Sequence, residues 1–490
     1  MSSSYKQIAK SSGLVAFVSV FQMAFGLLRN KIIAVLLGAK GFGIYGLYQV
    51  FIETAISFSS LGLDKSGVRQ IAKRGDDITS RDKCIQVFTK GLLCTSIITS
   101  LICAVFSRNI SKSLFGEESY YIGIIIASIA VCLRSISQGQ VSILNGLRDL
   151  RSLALSQILA AVFGSIISVL FIIFLGFDGI VLSFVSFAIA SLVFSSYYVK
   201  KQKIENVKFS NEEFKGEFRN LLSLGLGFSI SAAVSSIFIF LSRSFIGNEF
   251  DLATVGIYQA SWLISNMYIG IILSAMGVDF MPRLMKSIDN LPNVRKMVNE
   301  QMEFGSLLSG VGVMGLLLFS NIILTILYSS DFSSGSSIIK WQVLGVSLRV
   351  LGFPLAHSVM AFNKPVWYAT IQCVFALLEY LLLRLFVDLY GFDGLGISYF
   401  VAYIFFLVLW ILATKKLFNF SFSKNLLYII SFNWMAIVLA FLIVSHFNGI
   451  NLYIVAILFF SVFLFFVSIL MKKILGISLI GIIKKKVLKR

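Results

Sequence analysis

Six basic residues interrupt stretches that otherwise read as lipid-facing: Arg29, Lys31, Arg134, Arg243, Arg349 and Arg384. A charge at membrane depth is costly, so it is kept where it faces a protein interior or a wet cavity. A guanidinium holds its charge at any working pH. Its planar fork donates two parallel hydrogen bonds to one phosphate or carboxylate. Matched arginines therefore point to binding of an anion, phosphate or pyrophosphate above all. Snorkelling to an interface is the competing reading for Arg29 and Lys31, because long basic side chains reach several ångströms. A purely structural ion pair with Glu53 is another. Polar residues recur at helical spacing beside these cations. Ser19, Gln22, Gly26 and Arg29 form one stripe, and Tyr45, Gln49, Glu53, Ser57, Ser60 and Asp64 form a second. Ser229, Ser236 and Arg243 share a face, as do Gln372 and Glu379, with Arg384 five residues on. Tyr45 and Tyr48 also read as interfacial aromatics. The candidate binding set is Arg29, Arg134, Arg243, Arg349 and Arg384, lined by Gln22, Gln49, Glu53, Gln138, Asn145, Gln372 and Glu379. Glu53 and Glu379 are candidates to balance the empty cavity or to hold a coupling cation. Nothing resembles a hydrolytic or metal centre: His357 and His446 are isolated, and the five cysteines are scattered without a CxxC.

The elements that must carry these residues are helices. The 490 residues are 57% hydrophobic and 13% charged, with four prolines. Apolar runs of about 20 residues recur throughout, each able to cross the hydrocarbon core. The pattern predicts an all-α polytopic membrane protein of about fourteen spans: 13–37, 41–63, 84–106, 120–146, 152–175, 179–199, 221–246, 252–281, 303–328, 337–362, 366–390, 394–414, 425–446 and 450–471. The opening MSSSYKQIAKSSG lacks the core of a secretory signal, so the first span is expected to be retained. A net charge of +19 raises nucleic acid as a partner, but the charges sit in short segments between apolar runs. One set of loops holds Lys65, Arg69, Lys73, Arg74, Arg81, Lys83, Arg148, Arg151 and the segment 200–220. Arg283, Lys286, Arg295, Lys296, Lys364, Lys415, Lys416, Lys424 and the tail KKKVLKR continue that set, while the opposite loops hold little beyond Lys40, Arg108 and Lys112. This asymmetry places both termini in the cytoplasm. Loops this short leave no room for an external catalytic domain.

The chain also repeats itself. GFDGI (176–180) returns as GFDGL (391–395), Gln157 as Gln372, LRS (133–135) as LRV (348–350), GIYG (43–46) as GIYQ (256–259), and Arg29 as Arg243, all at offsets of 213–215. Six helices per copy gives two parallel lobes, related by an axis along the membrane normal. The expected divisions are a lobe over 1–200, a cytoplasmic linker at 201–220, a second lobe over 221–416, and two extra helices with a basic tail over 417–490. Arg29 and Arg243, and Arg134 and Arg349, would then be equivalent pairs lining a cavity between the lobes.

GFGIY (41–45) after LLGAK, GLDKSGVRQIAK (62–73) and the doubled GFDG element resemble the polysaccharide transporters. More narrowly, the whole chain resembles the O-antigen and repeat-unit flippases of the multidrug/oligosaccharidyl-lipid/polysaccharide exporter superfamily. The resemblance implies a non-enzymatic flippase in a bacterial inner membrane. It would carry an undecaprenyl-pyrophosphate-linked oligosaccharide to the outer leaflet by alternating access, without a cofactor. Membrane lipids and the polysaccharide polymerase machinery are the implied partners, and nucleic acid is not. Membrane potential, proton and sodium all stay open as the drive. Three alternatives also stand: a peptidoglycan-precursor flippase, a multidrug cation exporter, and a membrane polysaccharide polymerase. Excess buried Arg over carboxylate argues against the second, and short external loops against the third.

Overall fold

The computed structural model describes residues 3–75, 77–447 and 449–475; the basic tail lies outside them. The described residues form helices and short connections, with no strand among them. α1 (Ser3–Ser60) breaks at Gly38, where φ is 63° and ψ −169°, so the first two spans form one bent element. Two short helices were not foreseen: α2 (Leu63–Lys73), which follows α1, and α4 (Ser107–Phe115), which follows α3 (Ile78–Val105). Both bury one face only, Leu63, Ser66, Gly67 and Ile71 in α2 and Ser107, Ser111, Leu114 and Phe115 in α4. They are too short to span a bilayer, and a search for long apolar runs passes over them.

Next come α5 (Tyr121–Gly146), α6 (Leu150–Leu175), α7 (Gly179–Lys200), α8 (Asn211–Glu249), α9 (Leu252–Lys286) and α10 (Leu291–Leu327). They are followed by α11 (Gly335–Ala361), α12 (Pro365–Tyr390), α13 (Gly394–Phe418), α14 (Lys424–His446) and α15 (Gly449–Leu475). Among the described residues, eleven segments are long and apolar enough to cross a membrane. Two of these, 17–60 and 365–418, each contain two spans. With the 35-residue α9, every span read from the sequence has its helix.

The doubled GFDG element has one backbone solution in both copies. Gly176 ends α6 at φ 59°, ψ −126°, its N–H donating to the Ile172 carbonyl. Gly391 ends α12 at φ 57°, ψ −130°, its N–H donating to the Val387 carbonyl. Positive φ suits glycine, which has no Cβ to clash. Three residues on, a Cβ on Gly179 would lie 2.2 Å from the Phe171 carbonyl oxygen, and one on Gly394 would lie 2.1 Å from that of Phe386. The first glycine turns the chain and the second lets the next helix pack against the one just ended. GIYG and GIYQ, read as equivalent, also meet: a Cβ on Gly256 would be 2.8 Å from the Gly43 amide nitrogen.

The chain divides into two compact units, residues to 259 with 327–331, and 260–326 with 332 onward. In the first, α6 packs on α7, α5 on α7 and α3, and α1 on α6 and α8. Lipid tails are as apolar as leucine, so helices in a bilayer associate through close packing and hydrogen bonds. Serines supply these: the buried Ser168 donates to the Ser183 carbonyl at 2.7 Å, and the half-buried Ser100 to that of Ser128 at 2.6 Å. A cluster of Leu63, Ile71, Ile85, Phe88, Ile143 and Leu221 joins α2, α3 and α5 to α8. The segment before α8 is fastened there. The Glu205 amide donates to Asp82 at 2.9 Å, Gln86 donates to the Glu205 carbonyl at 2.7 Å, and Lys83–Glu213 and Arg74–Glu217 pair at 2.7 Å each. In the second unit α11 and α12 pack on α13 around Val346, Val350, Leu355, Tyr399, Phe406 and Trp410.

Candidate functional site

The first unit brings Arg29 of α1 and Arg134 of α5 to the same aromatic ring, Phe187 of α7. The guanidinium carbon lies 5.1 Å from the ring centroid for Arg29 and 5.7 Å for Arg134. Arg29 also lies 5.8 Å from the Tyr45 ring. Each is a cation–π contact, which holds a guanidinium plane without consuming its N–H donors. The Phe187 ring fits because its neighbour on α6 is Gly164, where a Cβ would come within 2.7 Å of it. Tyr45 is buried and stacks on Phe184 at 4.6 Å, so it builds the wall of this cluster and does not mark an interface. Tyr48 is buried too, against Phe115.

The charges are unequally committed. Arg134 pairs with Glu53 through Nη1 and Oε1 at 3.2 Å, with side chains 23% and 47% exposed. A pair this open is weak and exchangeable. The Nε of Arg29 is buried and donates to no acceptor, and the Oδ1 of adjacent Asn30 is likewise unmatched. An unmatched buried donor costs roughly 1–3 kcal/mol until an acceptor reaches it. Two guanidinium groups, one carboxylate and one unmatched donor make a cluster suited to an incoming anion. Gln22, Gln49 and Gln138 are half-buried on α1 and α5, and Asn145 is exposed at the end of α5. Lys31 is exposed.

Arg243 is placed differently. It is 4% exposed on α8, with its guanidinium carbon 4.2 Å from the Tyr258 ring. In the second unit Arg349 donates from Nη1 to the Asn266 Oδ1 at 2.5 Å, and Tyr399 donates to the same oxygen at 3.1 Å. Arg349 is thus tied into a polar interior built by α9, α11 and α13. Gln372 donates to the Tyr368 hydroxyl at 3.1 Å, Glu379 is half-buried on α12, and Arg384 is exposed on the same helix. The structure therefore gathers Arg29, Arg134 and Glu53 and places Arg349 in a separate network of its own unit. Phe187 and Asn266 were missed. One phenylalanine among 47 carries no signal, but an arginine set in the apolar run around 349 did require a nearby acceptor.

This arrangement of helices is known. Over 94% of this chain and 99% of the other, it matches a structure titled "Lipid II flippase MurJ, inward closed conformation" at a TM-score of 0.69 and 17% identity. It matches an inward-facing multidrug resistance MATE family transporter of the MOP superfamily over 82% of this chain and 98% of that one, at 0.66 and 16% identity. The chain has the fold that these two structures share. Residues 8–288 match the family described as "Polysaccharide biosynthesis protein", and the chain belongs to that family. It is 26% identical over 371 residues to a putative O-antigen transporter of Shigella flexneri, covering 74% of this chain and 87% of the relative. It is 20% identical over 360 residues to the lipid III flippase of Escherichia coli (strain K12), covering 72% and 85%.

Proposed function

We propose that this protein is a flippase that moves an anionic, polyprenyl-pyrophosphate-linked oligosaccharide, an O-antigen or related repeat unit, between the leaflets of a bacterial inner membrane. The carrying observation is the pair of arginines on Phe187, one with a buried donor that nothing accepts and one held only by an exchangeable carboxylate. In this reading the pyrophosphate displaces Glu53 from Arg134 and takes the free donor of Arg29. The glycan occupies the wet side of the cluster near Gln22, Gln49 and Gln138, and the isoprenoid stays in lipid. Alternating access delivers the headgroup to the other leaflet, with both termini in the cytoplasm. Greater identity to the O-antigen relative than to the lipid III flippase, 26% against 20%, favours a repeat-unit cargo. The test is made in cells lacking the gene. A membrane-impermeant glycan label on spheroplasts should find the lipid-linked oligosaccharide accumulated and inaccessible, with access restored by the wild-type gene. Assembled units that reach the outer leaflet unpolymerised would replace this reading with a polymerase.

A further inference from the structure

One lipid-facing side of the first unit ends in charge. Ile189, Val193 and Tyr197 lie at steps of four along α7 and are all exposed, so they form one stripe that the bilayer covers. On α6, which packs beside α7, Phe163, Ile166 and Leu170 are exposed in the same way. Tyr197 closes the α7 stripe, and a tyrosine at the end of a span sits at headgroup depth. Directly beyond it come Lys200, Lys201 and Lys203, all exposed. The Nζ of Lys201 lies 4.3 Å from the centroid of the Tyr197 ring and 5.6 Å from that of Tyr198. Its ammonium is therefore held at the depth of the rings.

The turn between α5 and α6 meets this end of α7. Gln202 donates to Asp149 Oδ2 at 2.7 Å, which brings the exposed Arg148 and Arg151 into one patch with the three lysines. The acid at this junction is already spent, because Asp149 also takes the Ser152 amide at 3.0 Å. Glu205, the next acid along the chain, is led away to α3, where its amide donates to Asp82 and its carbonyl accepts from Gln86. Among the described residues, none of the five cations pairs with a carboxylate. Uncompensated cations on the lipid rim, at headgroup depth, complement a negative headgroup. An acidic protein segment would meet cations in the aqueous phase, with no aromatic ring needed to set their depth.

We infer that Arg148, Arg151, Lys200 and Lys201 bind the phosphate headgroup of an anionic membrane phospholipid and anchor this end of α5, α6 and α7 to its leaflet. That leaflet is the cytoplasmic one in the orientation proposed above, but neither the orientation nor the cargo enters the test. Tyr197→Trp puts a fluorophore in the patch of the full-length protein, and the signal of the five native tryptophans is subtracted using wild type. The protein is reconstituted in vesicles of phosphatidylglycerol and phosphatidylcholine, with brominated chains on one lipid or the other. Quenching then gives the relative affinity of the two lipids at that position. Phosphatidylglycerol should be preferred about tenfold, the scale of one or two basic residues at a charged surface. The fourfold variant Arg148→Gln/Arg151→Gln/Lys200→Gln/Lys201→Gln should abolish the preference. So should about 1 M sodium chloride, which shortens the screening length to about 3 Å. Phe174→Trp, exposed at the other end of α6, should report no preference. Equal quenching by the two lipids at Tyr197→Trp would overturn the proposal and leave an acidic protein segment as the occupant to seek. A preference that survives the fourfold variant would also overturn it, as would an equal preference at Phe174→Trp. Val193→Trp, one turn deeper on the same stripe, gives the same readout if Tyr197→Trp does not fold.

Discussion

At the scale of single residues, the arginines differ in what they are free to do. Arg349 is bonded to Asn266 and Arg134 to Glu53, while Arg29 keeps a buried donor unmatched. Replacing Arg29 or Arg134 with Ala should lower the initial rate of headgroup transfer about ten- to a hundredfold, the range for a lost charged hydrogen bond. Membrane abundance should not change. Lys at either position should fall between, since it keeps the charge but loses the fork. Equal rates for Ala and wild type would remove that residue from the site. Phe187→Ala should weaken the cargo's half-saturating concentration more than the maximal rate, with Phe187→Tyr restoring it, because the ring only positions the guanidinium groups. The cations were legible because charge in an apolar run is conspicuous. The ring was not, because aromatic side chains at membrane depth are ordinary.

At the scale of elements, the spans were legible because each must bury about 20 apolar residues in lipid. The connections are where local chemistry decides. Asp149 caps α6, accepting from the Ser152 amide at 3.0 Å and from Gln202 at 2.7 Å. Burial opposes its ionisation, but the hydrogen bonds from Ser152, Gln202 and the Arg151 amide prevail and hold its pKa below the ordinary value. A depressed carboxylate contributes stability in full above its ordinary pKa of about 3.9 and loses it as the pH falls through the native value. Asp149→Asn should therefore melt below wild type near neutrality, with the gap closing in acid. A gap independent of pH would show that the carboxylate charge is immaterial. Gly394→Ala tests the repeated turn. Its Cβ would sit 2.1 Å from the Phe386 carbonyl oxygen, and overpacking of this kind costs about 1–3 kcal/mol. A melting temperature equal to wild type would contradict the close approach. α2 and α4 escaped the sequence reading because their burial is one-sided and brief.

At the scale of the whole molecule, the internal repeat gives the two halves the same turns but different chemistry. Gly176 and Gly391 share a backbone, whereas the equivalent Arg134 and Arg349 have different partners, a carboxylate and an amide. Offsets between motifs revealed the first, since glycine geometry is dictated locally. The second was hidden, because side-chain partners come from distant helices. An anionic headgroup moving outward through this protein would draw on an interior-negative potential, about 2.3 kcal/mol per elementary charge per 100 mV. Collapsing the potential with ionophore should slow initial transfer, and an undiminished rate would exclude voltage as a drive. The most direct test of the central claim uses purified protein in liposomes carrying a polyprenyl-pyrophosphate-linked glycan. The initial rate of leaflet transfer is measured for wild type, for the Arg29→Ala/Arg134→Ala double variant, and for Arg384→Ala, which alters an exposed cation. The account predicts transfer by wild type and Arg384→Ala, and almost none by the double variant. Transfer at the wild-type rate by the double variant would contradict it.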